Sequence, residues 1–236
     1  SLSVDLANSK LELGLINEFS KQLKLAKALK TTLLAGELSH QGKVAFDNKS
    51  KSVSSKHQLK LSKAKLSVGE NSLSKVEVIA EVNSMSITSG HAKITSEKIE
   101  LASGLKVTKA TLDLVLSENQ QIEINNLLFN VLSAKVSSDN LTILGNELKP
   151  TLIDVNGLSL TELLFFTEIE NVYAEGSLDM QIPLSSEDSK LVVKGATFKS
   201  QGAGVIKYNA GDLYKDKNIA LKALENFLYK QLDGTI

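Results

Sequence analysis

The side chains best suited to proton transfer or metal ligation here are three histidines, and their spacing serves neither purpose. His40, His57 and His91 stand far apart, beside Ser39, Lys56 and Gly90. No two of them share the i, i+2 or i, i+4 spacing that would turn imidazoles onto one cation. They are expected to be isolated surface residues that form no metal site. Glu168 with Glu170 and Glu187 with Asp188 are paired carboxylates. General acid–base work would need such a pair in a cleft, and nothing around them implies one, so solvated charge is the expectation. The chain has no cysteine, which removes thiolate metal sites, thiol nucleophiles and disulfides together. Ser is abundant, but the Gly-x-Ser-x-Gly elbow of a serine hydrolase is absent. Gly202-Ala203-Gly204 leads into Val205 and Ile206, which read as a strand, so the helix N-terminus that a phosphate cradle needs is missing. A bulge or tight passage between strands is expected there. Asn48-Lys49-Ser50 and Asn140-Leu141-Thr142 match the glycosylation sequon, as a Ser-rich chain does by chance. This inventory predicts no catalytic residue, no cofactor and no enzyme.

Charge and composition narrow the partners. All 27 basic residues are lysines, and they balance 27 acidic residues. Residues 1–110 carry 17 lysines against 10 carboxylates, and residues 111–236 carry 10 against 17. The lysines are scattered, and there is no arginine to grip phosphate in a bidentate fork. Nucleic acid is therefore not an expected partner. Apolar residues make up 42% of the chain and aromatic ones only 5%, with no Trp. The apolar mass is Leu, Val, Ile and Ala, which suits sheets. No apolar run approaches the ~20 residues of a membrane helix, and no signal-peptide pattern opens the chain. The abrupt start within an alternating pattern reads as one elongated β segment, residues 1–236, of a longer protein.

Period-2 alternation dominates the elements that must position any site. It runs through Leu2, Val4 and Leu6, then Leu11, Leu13 and Leu15. It returns at Leu59 with Leu61, Leu66 with Val68, Val76 to Val82, Met85 with Ile87, and Ile99 with Leu101. Leu105 with Val107, Leu112, Leu114 and Leu116, Ile122 with Ile124, and Leu141 with Ile143 continue it. Leu178, Met180, Ile182 and Leu184, then Leu191 with Val193, and Val205 leading to Tyr208, close the series. Turn signals at Ser89-Gly90, Ser103-Gly104 and Glu118-Asn119 separate the runs. About 16 to 18 strands are expected, with one wet face and one dry face each, hence a largely antiparallel sheet. Two or three short helices interrupt it. Ser159-Leu160-Thr161-Glu162 is a capping-box pattern before an apolar helix over 160–167. Asn218 caps a predicted helix bearing Leu221, Leu224 and Leu228. Phe19, Leu23, Ala26 and Leu33 outline another that ends at Gly36.

The most distinctive stretch runs from Gly176 to Leu184 (GSLDMQIPL), through Leu191 to Phe198 (LVVKGATF), to Gly202–Tyr208 (GAGVIKY). It reads as a strand ending at an Ile-Pro-Leu bend, a second strand, a Gly-centred turn and a third strand. This pattern resembles the YdbH-like family of the wider AsmA-like group. Residues 124–136 (INNLLFNVLSAKV) and 223–232 (ALENFLYKQL) are similar to further segments of that family, so the likeness is concentrated in residues 120–236. Ser133-Ala134 stands where the family often has Gly-Gly. The resemblance implies an all-β fold, an elongated twisted sheet curled into an apolar trough. It further implies a periplasmic, non-enzymatic bridge, anchored in the inner membrane by a segment outside this chain. Phospholipid acyl chains would move along the trough, with a possible partner protein at the outer membrane. An older label for the family, dicarboxylate transport, is disfavoured by the lack of arginine. Leu112, Leu114, Leu116, Ile122, Ile124, Leu141, Ile143, Leu178, Met180, Ile182, Leu191 and Val193 are the expected groove residues. The alternative is a structural or adhesive β-solenoid or sandwich whose dry face is its own closed core, since both give the same alternation.

Overall fold

Chains that alternate apolar and polar residues fold as strands with one face to bury, and the described residues do so almost throughout. The structure, a computed structural model, describes residues 2–11, 31–82, 90–117, 121–209 and 225–236. In chain order the strands are β1 (Leu2–Leu11), β2 (Thr31–Asp47), β3 (Ser52–Val68), β4 (Asn71–Val82), β5 (Gly90–Glu100), β6 (Lys106–Leu116), β7 (Gln121–Val131), β8 (Ala134–Leu144), β9 (Glu147–Leu148) and β10 (Thr151–Ser159). Helix α1 (Leu160–Thr167) follows, then β11 (Val172–Glu175), β12 (Ser177–Glu187), β13 (Lys190–Val193), β14 (Thr197–Ser200), β15 (Gly204–Tyr208), β16 (Phe227–Tyr229) and β17 (Asp233–Thr235). Fourteen strands form one sheet, in the order β1 to β8, β10, β12, β14, β17, with β9 on β8 and β13 on β12; β11, β15 and β16 form a second.

The chain divides into two compact units, residues 1–129 with 139–149, and residues 130–138 with 150–236. In the first, β1 to β6 pair antiparallel with their sequence neighbours. Asp47 closes the β2–β3 turn by accepting from the Lys49 amide and the Ser50 hydroxyl. In the second, β10 pairs with β12, and β12 pairs on its other side with β14 and then with β13. The predicted bend at Ile-Pro-Leu is instead continuous strand. Pro183 lies within β12 opposite Leu152, between the residues paired to β14 and those paired to β13. Proline cannot donate to a ladder, so a change of partner is where a strand tolerates it.

Several breaks in the alternation are bulges, not turns. Leu59 with Leu61 and Leu66 with Val68 belong to the single 17-residue β3. Along β3 and β4 the register passes from Leu61↔Val78 to Ala64↔Val76 and then to Leu66↔Leu73. One extra residue thus enters each strand. Lys63, Lys75 and, on β6, Lys109 hold left-handed backbone, with φ of 51°, 50° and 52°. The bulges line up, since Ala64, Val76, Ser96 and Ala110 are register partners in a row. An inserted residue flips the alternation. Because each strand slips at the same level, Leu61 and Leu66, Val78 and Leu73, Ile94 and Ile99, and Leu112 and Val107 stay on one face. The centre of that row is the driest part of the unit, with Leu33, Ala64 and Val76 at 6%, 0% and 1% exposure. Gly36 completes it from β2. Its φ is +141°, and a Cβ there would stand 3.0 Å from the Ala64 Cα.

Helix α1 forms over the predicted residues. The Ser159 hydroxyl caps it, accepting from the Glu162 amide at 3.3 Å. The other half of the predicted capping box does not form. The Glu162 carboxylate accepts from the Ser133 hydroxyl at 2.6 Å, and the Ser159 amide donates to the Leu132 carbonyl. Leu132 and Ser133 both have positive φ, so the two-residue β7–β8 turn is held by the helix it leads to. α1 is the one helix among the described residues. Leu33 and Gly36 lie in β2, and Leu228 in β16, so the two other predicted helices do not include them. Phe19, Leu23, Ala26, Asn218, Leu221 and Leu224 lie outside the described residues, as do Leu13, Leu15, Met85, Ile87 and the turns at Ser89 and Glu118-Asn119.

Candidate functional site

Residues directly opposite in an antiparallel pair share a face, so the registers sort the first unit's side chains without ambiguity. Leu112, Leu114 and Leu116 lie opposite Ile94, Ala92 and Gly90. Ile94 and Ala92 lie opposite Val78 and Ala80, and these opposite Leu61 and Leu59. Strand by strand this makes one apolar face. The alternate positions carry Lys56, Lys60, Glu77, Glu81, Lys93 and Asp113, which make the wet face. Ile122 and Ile124 alternate along β7, and Leu141 and Ile143 along β8, so each pair shares one face of its strand. The Asn126 amide, at a left-handed position that breaks the alternation of β7, donates to the Asp113 carboxylate, and the Asn140 amide donates to the Asn125 carbonyl. Ile143 is also the register partner of the buried Leu148.

In the second unit, Leu178, Met180 and Ile182 alternate along β12. Met180 and Ile182 face Val155 and Ile153 on β10, and Val155 faces Val136 on β8. On the other side, Met180 is opposite Phe198, and Leu184 is opposite Val193. Ser186 is opposite Leu191, so all five predicted residues of this unit share one face of β12 and β13. Their burial differs. Leu178 is buried, Met180 and Ile182 are half-buried, and Leu191 is 71% exposed.

What covers these faces is the chemical question, and among the described residues very little does. In the first unit no second layer of helix or strand stacks on the apolar rows among the described residues. The seven predicted residues there are all half-buried. Across the described residues the largest side chain that is fully buried is Val76. A closed core of Leu and Ile would bury many larger ones. Among the described residues fourteen large hydrophobic residues are exposed; in the first unit Phe46 and Val53, register partners, lie on the apolar face, while Ile79, opposite Lys60 and Lys93, lies on the wet one.

The polar sites are shallow. An open depression of about 540 Å³ on the wet face of the second unit is lined by Asp154, Asp179, Gln181, Lys199 and Asp233. Its carboxylates are engaged: Gln181 donates to Asp154, and Gln201 and the Gly157 amide donate to Asp179. Among the described residues no group of three histidines or carboxylates is placed to hold a metal ion. Two carboxyls are held below their ordinary range, Asp47 by the Ser50 hydroxyl and Glu100 by Lys98. Burial pushes the Tyr229 phenol up, while its hydroxyl donates to the Glu175 carbonyl.

The histidines are not all isolated. His40 Nε2 stands 3.0 Å from His57 Nδ1, and the rings stack with centroids 5.2 Å apart and planes 21° apart. His40 is opposite Leu59, and His57 is opposite Gly42 and Val82, so the pair sits on the apolar face. His91, opposite Glu81, belongs to the wet face. The clue in the sequence was phase, because His40 follows Leu38 and His57 precedes Leu59 at even spacing. Seventeen residues of separation hid the hairpin that joins them.

No helix among the described residues is long and apolar enough to cross a membrane. No curated protein and no solved structure matches the chain. A family model does, over residues 3–236, and it is that of the YdbH-like proteins, described as "Intermembrane phospholipid transport protein YdbH". A match of that extent, on a chain whose described residues fold mainly as a large antiparallel sheet, makes this chain a member of the YdbH-like family of intermembrane phospholipid transport proteins.

Proposed function

We propose that the apolar face of each unit is a lipid path, on which acyl chains lie against the half-buried Leu, Ile and Val rows while headgroups stay in water. The observation that carries this reading is the thin burial: long apolar rows with no second layer over them among the described residues, and nothing larger than Val76 fully buried. Each methylene that moves from water onto such a face contributes roughly 0.8 kcal/mol. No directional chemistry is needed, which suits a surface along which a tail must slide. In this reading the twelve predicted groove residues touch the cargo, and catalysis plays no part. The chain works in the periplasm as one segment of a bridge between the membranes. An inner-membrane anchor outside this segment and a partner at the outer membrane complete it.

A photocrosslinking amino acid placed singly at Leu114, Met180, Lys93 and Lys199 tests the path. Crosslinks to phospholipid are expected from the first two positions and not from the lysine positions, with mass spectrometry of co-purified lipid identifying the cargo. Equal labelling at all four positions, or none at Leu114 and Met180, removes the path and leaves a structural β protein.

A further inference from the structure

The stacked histidines are the polar feature that the lipid path leaves unexplained. By register, the apolar face of β2 to β6 carries Leu, Val, Ile, Ala, Phe, Gly, Ser and, at its margin, Asn71, and His40 and His57 are its titratable residues among the described ones. Both are half-buried. The charged residues of the surrounding strands alternate onto the other side. Lys43 pairs with Lys56 between β2 and β3, and Lys60 and Glu81 follow on β3 and β4. Among the described residues of β2 to β6, no carboxylate position therefore shares the face with the rings to neutralise them.

Ring-to-ring bonding at 3.0 Å requires one nitrogen to donate and the other to accept. A first added proton leaves the bond intact, because it settles on the ring nitrogen outside the pair. A second must occupy the acceptor nitrogen. That sets N–H against N–H and places two cations with centroids 5.2 Å apart on an apolar surface. Such a pair separates, or it takes an anion between its donors. Imidazole is the side chain that ordinarily changes its charge between about pH 5 and pH 8.

Resting on the lipid path proposed above, we infer that His40 and His57 form a proton-operated station for the headgroup of an anionic phospholipid. At neutral pH the rings bond to each other and the face stays uncharged for passing tails. On acidification they turn to a phosphodiester oxygen and retain the lipid. Gly42, opposite His57, leaves that position on the face without a side chain to obstruct the approach.

The test compares pyrene-labelled phosphatidylglycerol with the phosphatidylcholine analogue at about pH 7.5 and pH 5.5, on the whole chain and on His40→Gln and His57→Gln. The parent is expected to bind phosphatidylglycerol about tenfold more tightly at the lower pH, with a smaller change for phosphatidylcholine, whose choline cation offsets its phosphodiester charge. Both variants should keep the neutral-pH affinity and lose the enhancement. An enhancement that survives both substitutions overturns the station but leaves the path standing. Binding of neither lipid at either pH overturns both. Nitrogen-15 NMR of the imidazoles gives a reading that needs no lipid: a ring-to-ring coupling present at pH 7.5 should vanish at pH 5.5, and its persistence would overturn the inference.

Discussion

Replacing Leu114 by Lys and, separately, Val76 by Lys discriminates an open face from a closed core by magnitude alone. Both side chains belong to the apolar face of the first unit. Val76 is 1% exposed, among Leu33, Ala64 and their neighbours. An ammonium there has no carboxylate and no water, and leaving such a charge unpaired costs about 3–5 kcal/mol. That is a large part of a typical stability of about 5–15 kcal/mol. Leu114 is half-buried and bordered by Ala92. Burying a whole Leu contributes about 1.5–3 kcal/mol, so forfeiting half of that contact costs about 1 kcal/mol. The Lys stem retains part of it while the head reaches water. Calorimetry should show a Tm lower by about 2–4 °C for Leu114→Lys, and either an unfolded chain or a fall above about 6 °C for Val76→Lys. Equal losses in the two variants would refute the reasoning, because they would mean that Leu114 also sits in a sealed core.

Lys63→Gly should raise stability by about 0.5 kcal/mol in urea titrations, since left-handed backbone costs an L-residue about 1–2 kcal/mol and Gly gives back roughly half of that in chain entropy; a loss of stability would show that the Lys63 side chain matters more than its φ. Gly204→Ala should cost about 1–3 kcal/mol, because a Cβ there runs into the Tyr229 hydroxyl and the Glu175 carbonyl, and a wild-type melting curve would count against that packing. The lowered Asp47 carboxyl stabilises the fold above the ordinary carboxylate range, a contribution that is lost as pH falls through its depressed folded value. Ser50→Ala removes the principal cause, so carbon-13 NMR should show Asp47 titrating at higher pH in the variant; an unmoved titration would mean that the hydroxyl is not responsible.

Strand identity was legible because alternation is a direct imprint of which side chain meets water. Leu112, Leu114 and Leu116 could be assigned to one face before any register was known. Helix α1 was equally legible, since Ser159 ends a strand pattern and Leu163 to Phe166 break period 2. The bulges were not. A single Lys between Leu61 and Ala64 looks the same in sequence as the end of a strand, and only the matching slips at Lys75 and Lys109 reveal continuity. The two predicted helices were read from leucine spacing at 33 and 228, where strand pairing prevailed. The histidine pair needed the β2–β3 register, a long-range fact that local spacing does not carry.

The row of bulges has a consequence for how such a chain can change in length. Removing Lys75 alone would send Leu73 and everything before it in β4 to the wet side, while the partner residues on β3 and β5 kept their places. The damage is repaired only if the neighbouring strands lose a residue at the same level. The strands therefore share a reading frame across the sheet, much as codons share one along a message. Insertions and deletions at this level are tolerated in matched sets, and a gap confined to one strand is the equivalent of a frameshift.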